Sequence, residues 1–252
     1  MIECRWAERR LERLPALAAE LVARKVDVIV TEGGDSTTVA AKQATSTIAI
    51  VFHGNDPVAR GFAASLAGPG GNLTGVSLMI SELAPKLLEM LLEVVPDAKL
   101  IGVLRDPTSP PDNIEHAAST RNVRLHILPA LNFDEVDAAF AALVPLKPDG
   151  LIAYTIPRTR IADLVTCHSL PAISHARDFP ENGGLLSYGP SITAAYRIKG
   201  LYTGRILKRE KAADLPIQQP ATFELVINLK TATALDVTIP PSILARATEV
   251  IE

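Results

Sequence analysis

Residues 183–244, the last quarter of the chain, constrain the fold more than any other stretch. They read GGLLSYGPSITAAYRIKGLYTGRILKREKAADLPIQQPATFELVINLKTATALDVTIPPSIL. A Gly-Gly turn leads into a short apolar strand at 185–188. A helix over 192–207 follows, then a charged linker, then a strand at 222–228 with a short helix of its own. A βα enzyme rarely ends on a lone strand–helix unit, a polar linker and a strand that must pair elsewhere. The pattern implies a chain that passes between two lobes more than once. Such crossings make a hinge, and a hinge predicts a cleft that closes on a ligand.

The preceding residues supply two lobes' worth of βα units. A short strand is expected at 1–6. Leu11, Leu14, Leu17 and Leu21 fall at helical spacing over 11–24. VDVIV at 26–30 is the continuous β-branched run of a strand buried in a parallel sheet. A helix at 38–43, a buried strand at 48–52 and a helix at 59–66 are expected next. GPGGN at 68–72 marks a turn. Beyond it come an extended segment at 73–78 and a helix at 81–94, with Ser81 as N-cap and Pro96 as its stop. A second series then places strands at 100–104, 124–128, 150–154 and 172–174. Helices are expected at 133–143 and 158–167, with a stub after the turn RDPTSPPDN at 105–113. The connections 110–123 and 157–168 are short for parallel crossovers. Two such series predict an α/β protein with two Rossmann-like lobes and parallel sheets.

The 252 residues suffice for one large or two medium α/β domains. Aromatics make up 4%, so the core must be built from Ala, Val, Leu and Ile. Net charge is −3 with dispersed basic residues, so no nucleic-acid partner is expected. Arg5, Arg9, Arg10 and Arg13 alternate with Glu3, Glu8 and Glu12, as on a solvated helix face. Cys4 and Cys167 match no metal or redox spacing, and neither a metal nor a cofactor is expected. No apolar run approaches the ~18 residues of a membrane span, and no secretion-signal pattern opens the chain.

Candidate binding residues cluster where strands end. Gly33, Gly34, Asp35, Ser36 and Thr37 lie between a buried strand and a helix N-terminus, a place suited to an anion such as a carboxylate. Asp35 or Ser36 could equally cap that helix. Asn55 and Asp56 follow the next strand, where Asp56 could accept from an ammonium group or cap a turn before Pro57. His53 on its own is more readily a histidine without a role. Ser77, Tyr154, Thr155, Ser174, His175, Ser187 and Tyr188 also end extended segments. There is no GxSxG, HExxH or CxxC, so no catalytic residue is assigned. A binding module and an enzyme on a doubly wound fold acting on a small amino-acid-like substrate are both carried, and the missing motifs count against the enzyme. The binding module is also preferred over the sensory domain of a transcription regulator, since no DNA-binding helix pair opens the chain.

The blocks RLPALAAELVARKVDVIV, AAKQATSTIAIVFHGNDPVARGFAASLAGPGGNLTGVS, GGLLSYGPS and LPIQQPATFELVINLKTATAL closely resemble an ABC-transporter substrate-binding protein family whose better-known members bind aromatic amino acids such as tryptophan. The resemblance implies a type I periplasmic-binding-protein fold with three crossovers. Lobe 1 would hold 1–76 and 185–209, and lobe 2 would hold 77–184 and 210–252. It implies ligand-binding residues at Gly34, Asp35, Ser36, Thr37, Asn55, Asp56, Ser77, Tyr154, Thr155 and Tyr188. The ligand's carboxylate would meet the Ser36/Thr37 helix end and its ammonium Asp56. It further implies a periplasmic location, an ABC permease membrane subunit as partner, and a monomer or weak dimer. Family members carry an export signal, a strand and a helix ahead of the segment that opens this chain. The first strand of lobe 1 is accordingly expected to be missing.

Overall fold

Short buried strands with β-branched cores organise two separate sheets in the computed structural model, which describes residues 1–8, 10–107, 112–155 and 157–252. Arg9 of the charged N-terminal face and residues 108–111 of the turn after the fourth strand lie outside the described residues. In chain order the first elements are α1 (Leu14–Ala23), β1 (Val28–Val30), α2 (Asp35–Ala44), β2 (Ala49–Gly54), β3 (Leu73–Ser77) and α3 (Ile80–Val94). Next come β4 (Leu100–Arg105), α4 (Ile114–Ser119), β5 (Arg124–Pro129), α5 (Phe133–Leu143), β6 (Gly150–Ala153), α6 (Arg158–Cys167), β7 (Ala172–Ser174) and α7 (Asp178–Glu181). The chain closes with β8 (Leu186–Pro190), α8 (Ile192–Leu207), β9 (Phe223–Asn228), α9 (Leu229–Ala234), α10 (Pro241–Leu244) and β10 (Glu249–Ile251).

The chain forms two units, Met1–Met79 with Ser191–Ala221, and Ile80–Pro190 with Thr222–Glu252. In the first, β1, β2 and β3 form a parallel sheet in that order. Alternation along β2 sends Ile50 and Phe52 to one face, where they pack with Ala41, Phe62 and Ile217. Val51 points to the other face and meets Tyr202 and Ile206 of α8. The segment after α8 rejoins β3. Thr74 Oγ1 donates to the Leu215 carbonyl at 2.7 Å, and the Ser77 N–H donates to the Gln218 carbonyl at 2.8 Å.

The second unit holds a seven-stranded sheet, ordered β10-β9-β8-β7-β6-β4-β5. All neighbours are parallel except β8 and β9. Ile101, Val103, Ile152 and Ile173 pack on one face against α3 and α4. Leu104, Leu151, Ala153 and Ala172 pack on the other against α5 and α6. Asn132 caps α5 by accepting from the Glu135 N–H at 2.9 Å, and Glu135 reaches back to the Leu131 N–H at 2.8 Å.

The expected lobe boundaries need correction. Residues 185–188 were expected to return the chain to lobe 1, but β8 belongs to the second sheet. It pairs with β7 through Ile173↔Leu186 and with β9 through Leu186↔Ile227, which uses the backbone groups on both its edges. The crossing therefore falls after Pro190, and the return after Ala221 rather than after 209. Ser77, Leu78 and Met79 stay with the first unit, where the Leu78 N–H donates to the Gly54 carbonyl at 2.7 Å. The strand expected at 1–6 is absent, because a strand needs a ladder partner and, among the described residues, β1 pairs with β2 alone. Ile2 and Trp6 are exposed there. The helix expected at 59–66 is a series of turns. Gly61 adopts φ 66°, and the Phe62 N–H donates to the Pro57 carbonyl at 2.7 Å.

Candidate functional site

Strand ends in the first unit gather the first group of expected residues. Gly33 and Gly34, at φ 91° and 98°, turn the chain from β1 into α2, a conformation that side chains beyond glycine resist. Gly34 is the N-cap of α2 and, as a glycine, offers no side-chain cap. Asp35 does not cap its own helix. Its Oδ1 accepts from the Asn55 N–H at 3.2 Å, and its Oδ2 lies 2.7 Å from Arg60 Nε. Gly54 makes room for this tie, since a Cβ there would sit 2.2 Å from Asp35 Oδ1. Thr37 Oγ1 donates to the Gly34 carbonyl at 2.7 Å, while Ser36 is exposed. Asp56, at φ 42°, accepts from the Ala59 N–H at 3.1 Å, the capping role that its place before Pro57 suggested. Ser77 is buried at the end of β3.

Sequence reasoning missed the charged centre beside this group. Lys199 of α8 is 3% exposed. Its ammonium lies 2.6 Å from the Thr31 carbonyl, 2.6 Å from Glu32 Oε2 and 3.2 Å from His53 Nδ1. An ammonium has three donors and no acceptor, so His53 Nδ1 must accept. That fixes the neutral tautomer with hydrogen on Nε2, which faces Glu32 Oε1 at 3.4 Å. Burial, aided by Lys199 and opposed by Glu32, holds the His53 pKa below its ordinary value. The Tyr196 hydroxyl donates to Glu32 Oε1 at 2.9 Å. His53 thus has a structural role. The signal was available: Lys199 falls on the buried stripe Ala195, Lys199, Tyr202, Ile206 of α8. Lys199→Met is expected to cost the first unit about 2–3 kcal/mol, by orphaning Thr31 and His53. Urea denaturation checks it; a melt at the wild-type midpoint would contradict it.

Strand ends in the second unit bring Tyr154, Thr155, Ser174, His175 and Tyr188 to adjacent strands β6, β7 and β8. Thr155 and Ser174 are spent on the fold, donating to the carbonyls of Ala130 and of Ala153, the latter at 2.9 Å. Tyr188 stacks on Phe223 with centroids 5.9 Å apart. Two buried atoms differ. The Tyr154 hydroxyl and His175 Nδ1 have no hydrogen-bond partner among the described residues. Burial, reinforced by Asp112 and opposed by Arg105, pushes the Tyr154 pKa well above its ordinary value. Burial, with the Arg158 charge, lowers the His175 pKa to about 3.

A hollow of about 420 Å³ lies elsewhere, between α5 and α6, lined by Phe140, Val144 and Leu164, with Asp137 and Arg160 paired to each other at 2.8 Å. It holds none of the expected residues. Among the described residues no group of acidic, His and Cys side chains could hold a metal ion, and no helix is long and apolar enough to cross a membrane. Cys4 and Cys167 are free and exposed.

Both units are α/β, with polar residues at the carboxyl ends of parallel strands, the place where open α/β sheets take ligands. The chain belongs to the ABC transporter substrate binding protein family, which it matches over residues 2–251. It is the solute-binding component of an ABC transport system and not an enzyme. It is similar to a tyrosine-binding protein of Clostridioides difficile (strain R20291), 26% identical over 247 residues, covering 93% of this chain and 70% of the relative. The fold is similar to that of an ABC domain from Streptococcus pneumonia in complex with L-Trp, with TM-score 0.85 and 24% identity, covering 96% of this chain and 84% of the other. A conserved domain protein of Vibrio cholerae O1 biovar El Tor also gives TM-score 0.85, at 27% identity and the same coverage of 96% and 84%.

Proposed function

We propose that the solute is an amino acid or a closely related carboxylate. The glycine-capped amino end of α2 carries this reading. The N–H groups of Ser36 and Thr37 stand at the positive end of a ten-residue helix whose N-cap is a glycine, which suits a carboxylate. Asp56 supplies a carboxylate for the ligand's ammonium, having lone pairs beyond the one given to Ala59. Gly34, Asp35, Asn55 and Ser77 of the first unit, and Tyr154, Thr155 and Tyr188 of the second, complete the proposed contact set. Asp35 and Thr155 act in it by holding loops. The tyrosine-binding relative favours an aromatic member of this class. The three chain crossings serve as the hinge, the permease membrane subunit is the receiving partner, and the protein works outside the cytoplasmic membrane, in the periplasm, as a monomer or weak dimer. Calorimetric titration of the folded protein with the amino acids and small carboxylates is expected to give saturable heat with at least one of them. Silence across the whole set would remove the proposal.

A further inference from the structure

Arg105 has no place in the contact set above, yet it stands beside the most conspicuous unsatisfied group in the second unit. It is the last residue of β4, and Tyr154 directly follows β6 on the neighbouring strand. Leu104 pairs with Ala153, and the Tyr154 N–H donates to the Leu104 carbonyl at 2.9 Å, so the two side chains leave adjacent strand ends. The Tyr154 hydroxyl is buried without a hydrogen-bond partner among the described residues. Folds rarely keep a buried hydroxyl idle unless a partner arrives from outside. Arg105 is similarly underused. Its Nη1 lies 4.0 Å from Asp112 Oδ1, too far for a hydrogen bond, and its guanidinium donates no hydrogen bond among the described residues. Asp112 meanwhile accepts from the Ile114 N–H at 3.1 Å.

Charge narrows what could use these groups. Arg105 and Asp112 already oppose each other, so a ligand carboxylate arriving here would leave a second negative charge beside Asp112 in a half-buried place. An uncharged oxygen avoids that cost. It can accept from the Arg105 guanidinium while exchanging a hydrogen bond with the Tyr154 hydroxyl. We propose that Arg105 and Tyr154 together read an uncharged hydroxyl on the solute, so that the protein selects amino acids whose side chain carries one. The inference rests on the amino-acid reading above and adds two specificity-determining groups to it.

The test is calorimetric titration of the full chain and of Arg105→Met and Tyr154→Phe with three probes, L-tyrosine, L-phenylalanine and L-glutamate. Wild type is expected to bind tyrosine about tenfold or more tighter than phenylalanine, because a site built around a hydroxyl rejects the analogue lacking it. Glutamate is expected to bind more weakly than tyrosine. Arg105→Met is expected to bring the tyrosine-to-phenylalanine ratio close to one, and Tyr154→Phe to reduce it several-fold. A wild-type ratio near one, a ratio that survives Arg105→Met, or glutamate as the tightest of the three would overturn this inference while leaving the amino-acid reading in place. Binding of none of the three by the wild type would overturn this inference, while the amino-acid reading falls only with silence across the wider set of amino acids and carboxylates.

Discussion

Gly75→Ala is expected to destabilise the first unit by about 3–5 kcal/mol, the sum of a steric clash and a strained backbone. Gly75 sits mid-strand in β3 opposite Phe52 of β2, at φ 151°. A Cβ there would lie 1.9 Å from the Phe52 carbonyl oxygen and 2.8 Å from its nitrogen. Both contacts are with backbone, so no rotamer change relieves them, and the pairing of β2 with β3 must open. Hydrogen exchange is the informative measurement. Amides of β2 and β3 should lose protection while those of β4, β6 and β7 keep theirs. Gly200→Ala is the contrasting control. Gly200 lies inside α8 with nothing within 4 Å of its virtual Cβ, and alanine there should stabilise by about 0.5–1 kcal/mol. Equal protection in the Gly75 variant and wild type would refute the argument.

Acid should weaken the second unit through His175. Its folded pKa, lowered by burial to about 3, lies below the ordinary 6.5. Between those values the unfolded chain binds a proton that the folded chain refuses. The stability it contributes is therefore complete above pH 6.5 and is lost as pH falls toward 3. The loss grows with each pH unit through that window. His53 adds a loss of the same sign in the first unit, since protonating Nδ1 would set it against the Lys199 ammonium. Urea denaturation of wild type and His175→Gln between pH 7 and 4 should show a shallower pH slope in the variant. Identical slopes would exclude His175 as the source.

Elements whose stability is local were the legible ones. The spans of α5, α6, β7 and α8 follow directly from apolar periodicity and from breakers such as Asn132, Pro157 and Pro171. The strand expected at 1–6 has suitable residues but no ladder partner, and pairing is a property of the neighbour, not of the segment. β8 misled for the same reason: LLSYGP announces a strand, but only its register with Ile173 and Ile227 says which sheet receives it. β10 passed unnoticed because three residues are too few to show alternation. At the strand ends, the polar positions were readable while their employment was not. Asp35 binds a neighbouring loop, Thr155 a carbonyl, and Tyr154 nothing among the described residues. Lys199 was hidden by the habit of reading lysine as a surface residue, although its place on the buried stripe of α8 identifies it.

The return of residues 191–221 to the first unit also governs how the protein comes into being. Thr74 waits for the Leu215 carbonyl, a partner 141 residues further along. While a ribosome makes the intervening chain, β3 has finished leaving the exit tunnel but lacks the backbone partners that residues 215–218 will supply. The apolar face of β2 that α8 covers is likewise bare over that interval. At about 5–20 residues per second the delay lasts several seconds or more, long enough for an exposed sheet edge to meet another chain.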